Sequence, residues 1–199
     1  MSTRPPYVMT PVPAGQEDRD RLAADLTSWP QERPALRPHT EALVNLLHHG
    51  GGGAEIVTLS GDGQLLAALH LVREPRLSAW DVPAGAEPSL LLCHLAKSPD
   101  APVGEPILRL ITLWATDFAA RTGKRWVRGE VLLPTGSPPN RLLSLAQDTG
   151  WGHEKTTSTP GGHLALMQCR AELHPNQDVF LHCQVPTVTA PADPTVARP

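Results

Sequence analysis

Apolar residues recur along this chain at two periods, and the alternation between the periods predicts its elements. In GQEDRDRLAADLTSW (15–29), Leu22 and Leu26 stand four apart among charged neighbours, the spacing of one buried helix face. Pro30 and Pro34 are expected to stop that helix. HTEALVNLLHHGGGG (39–53) predicts a second, shorter helix, with Thr40 able to cap it and four glycines to end it. AEIVTLSGDGQLLAALHLVREP (54–75) then predicts a hairpin turning at Gly61-Asp62-Gly63. RLSAWDV (76–82) is a candidate third strand, and PSLLLCHLAKS (88–98) has the continuous apolar run of a central strand.

The period returns to helical after residue 106. Ile107, Leu110, Ile111, Trp114 and Phe118 fall on one face, Pro106 suits the first helical position and Gly123 the end. KRWVRGEVLL (124–133) predicts a strand. SPPNRLLSLAQDTGW (137–151) predicts a short helix, capped near Ser137 and closed by Gly150. GHEKTTSTPGGHLALMQCR (152–170) predicts a second hairpin that turns at Thr159-Pro160-Gly161-Gly162. The order is ααβββ(β)αβαββ, an α+β or mixed α/β chain with one helix crossing between two central strands. NQDVFLHCQV (176–185) predicts an extra strand, with Val179, Leu181 and Cys183 on one face, packed on the domain or on a second copy.

Composition narrows the picture. The chain has 199 residues, 40% of them apolar, and a net charge of −3. That suffices for one sizeable core and carries no signature of nucleic-acid or membrane binding. No apolar run approaches the ~20 residues of a membrane span. The opening residues lack the apolar core of a signal peptide, and three widely spaced cysteines suit a reducing cytoplasm. Eight of the 22 prolines lie in 1–13 and 186–199. They mark 1–14 as an irregular segment and 186–199 as a disordered tail, around one domain over 15–185. The compact part is expected from about Tyr7 to about Val185.

Central strand, loop, long helix, strand and a helix ending in Gly-Trp come in the order that resembles the GNAT-type N-acetyltransferases. PILRLITLWATDFAARTGK (106–124) resembles that family's long helix, RWVRGEV (125–131) its following strand, and NRLLSLAQDTGW (140–151) its helix ending in Tyr-x-x-x-Gly-Phe. The resemblance covers roughly residues 15–172. It implies a mostly antiparallel mixed sheet flanked by about four helices. It also implies acetyl-CoA as co-substrate, and transfer of its acyl group to the amine of a small molecule or peptide by direct attack on the thioester. The alternative is a catalytically degenerate GNAT-like protein that binds a ligand or partner. A homodimer stays open.

The family's pyrophosphate loop reads Arg/Gln-x-x-Gly-x-Gly/Ala. Here that pattern falls on Ala101 to Pro106, and Gly104 alone matches. Pro99, Pro102 and Pro106 have no N–H to donate, while Asp100 and Glu105 set negative charge against a diphosphate. The family's tyrosine acid falls on Ala146, and the chain's one tyrosine is Tyr7. By resemblance, the cofactor would meet Leu95, Ala96 and Lys97, then Val103, Gly104 and Glu105, and Asn140. Lys97 would pair with a phosphate, or with Asp100 and Glu105 in the empty loop. Asn140 reads equally as a helix-start residue. The main-chain N–H groups from Leu95 to Lys97 would polarise the thioester.

A base must take the amine's proton. His94 and Glu130 are the candidates, each against a plainer role as a core histidine or a solvated carboxylate. Cys93 reads as a small buried apolar residue. Trp80 or Trp29 would line an acceptor pocket. Cys169, His174, His182 and Cys183 are zinc-ligand types, but their spacing matches no familiar site, and no metal is expected.

Overall fold

The computed structural model describes residues 6–13, 15–50, 55–77, 80, 87–102, 106–134, 140–159 and 162–187. Eight strands form one sheet in the order β6-β7-β5-β4-β3-β2-β1-β8. They are β1 (Tyr7–Pro11), β2 (Glu55–Gly61), β3 (Gln64–Val72), β4 (Ser89–Lys97), β5 (Trp126–Pro134), β6 (Gly152–Thr159), β7 (Gly162–Arg170) and β8 (Leu181–Cys183). Four helices flank it: α1 (Gln16–Glu32), α2 (Arg37–His49), α3 (Ile107–Arg121) and α4 (Asn140–Asp148). The mixed sheet and its helices are those expected from the sequence. β4 and β5 run parallel, and α3 is the crossover such a pair requires. No described helix is long and apolar enough to cross a membrane.

Each face of the sheet has its own core. On one face Leu69, Leu71, Leu90, Leu92 and Val127 pack against Ile111, Trp114 and Phe118 of α3. Trp114 is fully buried, stacks on Phe118 at 5.5 Å, and donates Nε1–H to Cys183 Sγ at 3.3 Å. The helix stripe expected to face the core does so. On the other face Ile56, Ala68 and Ala96 meet Leu22, Leu26, Leu43 and Leu47 of α1 and α2. Trp80 covers the neighbouring part of that face over Leu91, Cys93 and Leu166.

Several local expectations are corrected. Tyr7–Pro11, placed in an irregular segment, is a strand between β2 and β8, and its central Met9 is fully buried. Four strand-competent residues, Tyr7 to Thr10, lie between the prolines, and Pro11 sits at the strand's last position. α1 runs through Pro30 to Glu32, because a proline two residues from the end removes little of the hydrogen-bond ladder. α2 starts at Arg37 with Pro38 in its first turn. Thr40 therefore lies inside the helix, buried, and donates to the Arg37 carbonyl at 3.2 Å instead of capping. Within RLSAWDV, Arg76 and Leu77 are not in a strand and Trp80 sits in a helical turn; the rest lies outside the described residues, as does Ser137. β8 is only three residues long, and Val179 is exposed in a 3-10 turn, so Leu181 carries the burial of that segment.

Candidate functional site

β4 and β5 stay paired only from Ser89↔Trp126 to Leu92↔Gly129. Beyond that point the two strands part. β5 continues on β7 through Glu130 to Pro134, and β4 continues on β3 to Lys97. The parting coincides with an irregularity in β4. His70 pairs with Cys93, but Ala68 pairs with Ala96, so β4 carries one extra residue there. His94 sits at φ 53°, a left-handed conformation uncommon for a residue with a side chain. This bulge turns β4 and leaves His94 and Leu95 without register partners on β3.

The gap opens into a cavity of about 130 Å³ that reaches through the sheet. On the α3 side its walls are Leu108, Ile111, Ala146 and Trp151; on the other side lie His39 and Glu130. Leu95 lines it beside the bulge. Of its twelve lining residues only His39 and Glu130 carry polar side chains able to titrate. The volume suits an acyl-thioester end rather than a large ligand; about 150 Å³ holds a benzene. Trp151 lies over the backbone of β5 at Gly129 and donates its indole N–H to Thr112 Oγ1 at 2.8 Å.

Burial raises the Glu130 pKa above the ordinary carboxylate value. Trp80 is close enough to oppose that rise, yet its indole N–H meets no acceptor at hydrogen-bonding geometry. The Arg128 guanidinium lies 4.8 Å over the Trp80 ring, held by Ser89 Oγ at 3.2 Å. Cys93 is buried beside Glu130, and burial with that carboxylate pushes its thiol to about 12, so it is no nucleophile.

The two residues expected as bases occupy different surroundings. Glu130 lines the cavity. His94 does not; its ring lies parallel to that of His70, 6.3 Å away, on the α1/α2 face. Burial lowers the His94 pKa, and burial with the nearby His94 lowers those of His39 and His70. All three imidazoles are thus biased toward the neutral form. His39 went unnoticed in the sequence, where it reads as one polar residue at a helix start.

The expected cofactor residues divide three ways. Leu95 is in place. Ala96 turns its side chain into the α1/α2 core, so only its main chain can meet a ligand. Lys97 is half-buried, and no ion pair joins it to Asp100. Val103, Gly104 and Glu105 lie outside the described residues, and Asn140 is described only as the first residue of α4. Ahead of the loop, the carbonyls of Pro99 and Asp100 accept from Arg33 at 3.4 Å and Gln64 at 3.2 Å. Ala146, in the position of the family's tyrosine, lines the cavity as a methyl group.

Of the other tryptophans, Trp29 is buried in the α1/α2 core away from the cavity. The four zinc-type residues have separate roles. Cys169 is buried in the α3 core, His174 Nε2 bonds Thr116 Oγ1 at 2.9 Å, Cys183 accepts from Trp114, and His182 is exposed. No metal-binding group of three exists among the described residues.

No family model matches this chain, and no curated protein matches it. Solved structures do. A GNAT-family acetyltransferase from Listeria monocytogenes is 15% identical, covering 82% of this chain and 94% of its own, with a TM-score of 0.57. Spermidine N-acetyltransferase from Vibrio cholerae, solved with CoA and spermine, is 10% identical, with 83% and 96% covered and a TM-score of 0.54. AAC(6′)-Ib, solved with paromomycin and acetyl-CoA, is 11% identical, with 82% and 93% covered and a TM-score of 0.57. With its parted central strands and the bulge in β4, this chain has the fold of the GNAT acetyltransferases.

Proposed function

We propose that the protein is an acyl-CoA dependent N-acyltransferase that uses acetyl-CoA to acylate an amine. One observation carries the reading: a bulged, parted pair of parallel strands opens a cavity through the sheet, with a carboxylate of raised pKa at one end. Two similar folds were solved with CoA or acetyl-CoA, beside spermine and paromomycin respectively. In this reading the thioester lies at the bulge and its carbonyl oxygen accepts from main-chain N–H groups between Leu95 and Lys97. The amine nitrogen attacks the thioester carbon, the carbon–sulfur bond breaks, and CoA leaves as thiolate. Glu130 takes the amine's proton, directly or through water; His94, the other candidate base, stacks on His70 outside the cavity. The thiolate takes its proton from solvent; a thiol pKa of ~8.5 makes it a fair leaving group without a tyrosine.

Calorimetric titration of the full chain with acetyl-CoA and with CoA tests this. Binding in the micromolar range is expected, because the loop's prolines withhold donors and its acids oppose the diphosphate. Nanomolar binding would mean that the pyrophosphate is held elsewhere. Ala146 on the cavity wall favours a second reading, a degenerate GNAT-like binding protein. Absence of binding by either nucleotide establishes that reading instead.

A further inference from the structure

His39 has a buried Nδ1 with no hydrogen-bond partner, and its side chain lines the cavity. Buried polar nitrogens are ordinarily paired, so an orphan at a cavity wall calls for a ligand atom. On the same side of the cavity stands Glu130, its one acidic lining residue. The remaining lining is apolar. Two further imidazoles, His70 and His94, lie on the same face of the sheet, stacked on one another.

We propose that His39 and Glu130 form the acceptor subsite, and that the acceptor is a small amine with one basic nitrogen on an apolar body. An ammonium group carries three N–H donors. The Glu130 carboxylate accepts one and His39 Nδ1 another, provided His39 holds its proton on Nε2. The depressed pKa of His39 keeps it an acceptor near neutrality. No other lining residue carries a charge, so the part of the acceptor nearest the nitrogen is apolar. A polyamine or an aminoglycoside would bring further ammonium groups into space where the described residues offer no second carboxylate, and a buried unpaired charge is strongly disfavoured. A peptide amine would bury unpaired amide groups there. This inference rests on the acyltransferase reading, but the subsite can be read without it.

The test uses the full chain in two arms. Saturation-transfer NMR without cofactor compares 2-phenylethylamine, isoamylamine, spermidine, kanamycin and triglycine. Thiol release from acetyl-CoA is then measured with the same five. The monoamines are expected to bind and to be acetylated with kcat/KM at least about tenfold above the others. His39→Ala is expected to raise the monoamine KM about tenfold, the scale of one hydrogen bond to a charged group, with kcat and the acetyl-CoA Kd little changed. His39→Asn, whose amide oxygen can stand near Nδ1, should recover part of that loss and guards against a folding defect, which circular dichroism also reads. Monoamine binding that depends on His39 but yields no thiol supports the subsite and overturns the acyltransferase reading. Preference for spermidine, kanamycin or triglycine overturns the acceptor class. An unchanged monoamine KM in His39→Ala, or no binding by any amine, overturns the subsite.

Discussion

Gly129 offers the sharpest test of how the cleft is built. A Cβ placed there would lie 3.0 Å from Trp151 Cζ3 and 3.3 Å from Cη2, closer than side chains normally approach. The indole cannot swing aside freely. It is 6% exposed, and its N–H is tied to Thr112 Oγ1. Gly129→Ala should therefore cost about 1–3 kcal/mol, the usual penalty for overpacking a well-filled core. The atoms in conflict belong to the indole's six-membered ring. Trp151→Phe removes them while keeping an aromatic side chain. Alone it should cost a comparable amount, through the lost hydrogen bond and the vacated volume. Combined with Gly129→Ala it should cost less than the two separately, with a coupling energy of about 1–2 kcal/mol. Urea unfolding followed by far-ultraviolet circular dichroism measures all four corners of the cycle. Acetyl-CoA titration of Gly129→Ala should show weaker binding, because both residues line the cavity. A Gly129→Ala protein within 0.5 kcal/mol of the parent, or strict additivity, would refute the close approach.

Glu130→Gln should lower kcat/KM by about 10²–10⁴, leaving the acetyl-CoA Kd nearly unchanged, if the carboxylate is the base. The histidines predict a pH dependence of stability. His39, His70 and His94 have pKa values depressed below 6.5, so the unfolded chain takes up protons first. Their contribution is full above pH 6.5 and is lost as pH falls through the folded values; melting midpoints from pH 7.5 to 5 should fall, and less steeply in His70→Asn. Glu130, with a raised pKa, acts in the opposite sense: its contribution is full below pH 4.5 and is lost as pH rises through the folded value. Trp114→Ala should cost about 3–5 kcal/mol in urea unfolding, since the ring is fully buried and its loss also removes the N–H donor to Cys183. Glu105→Gln with Pro106→Gly should tighten acetyl-CoA binding by about 1.5–3 kcal/mol, by removing one like charge and restoring one N–H. The Pro106 carbonyl that accepts from Leu110 N–H at 2.9 Å is retained in that variant.

The fold was legible where periodicity was strong. Ile107 to Phe118 announced both the long helix and its buried face, and the unbroken apolar run at 88–98 announced a central strand. What the pattern does not carry is the interruption of a strand. Cys93-His94-Leu95 reads as three ordinary strand residues, yet the extra residue falls there, because the bulge depends on what β3 and β5 do beside it. The resemblance therefore offered His94 as a base, and the structure sets its ring against His70. His39 was hidden for a related reason. Nothing within α2 distinguishes it from His48 or His49; only the packing of α2 over the parted strands gives it a role. Gly129 did leave a signal, since a glycine inside a strand marks a close approach of another group. Trp151, where the family has phenylalanine, is that group.

The parts of the site that survive and the parts that are lost are of two physical kinds. The bulge and the parted strands are properties of the backbone, as are the main-chain donors near Leu95 that the proposed reading assigns to the thioester. They follow from β4 being shared between β3 and β5, and many side chains are compatible with them. The loop donors and the tyrosine acid depend on individual residues, and here prolines, acids and Ala146 stand in their places. In the acyltransferase reading, the first set would bind and polarise a thioester. The second set governs how tightly the diphosphate is held and how the thiolate is protonated. A chain that keeps the first and loses the second should be limited by cofactor affinity before chemistry. Its rate should then rise with acetyl-CoA concentration through the micromolar range. Raising the amine at fixed, subsaturating cofactor should leave the maximal rate below that limit. Saturation by nanomolar acetyl-CoA would refute this ordering and show that residues outside the loop hold the diphosphate.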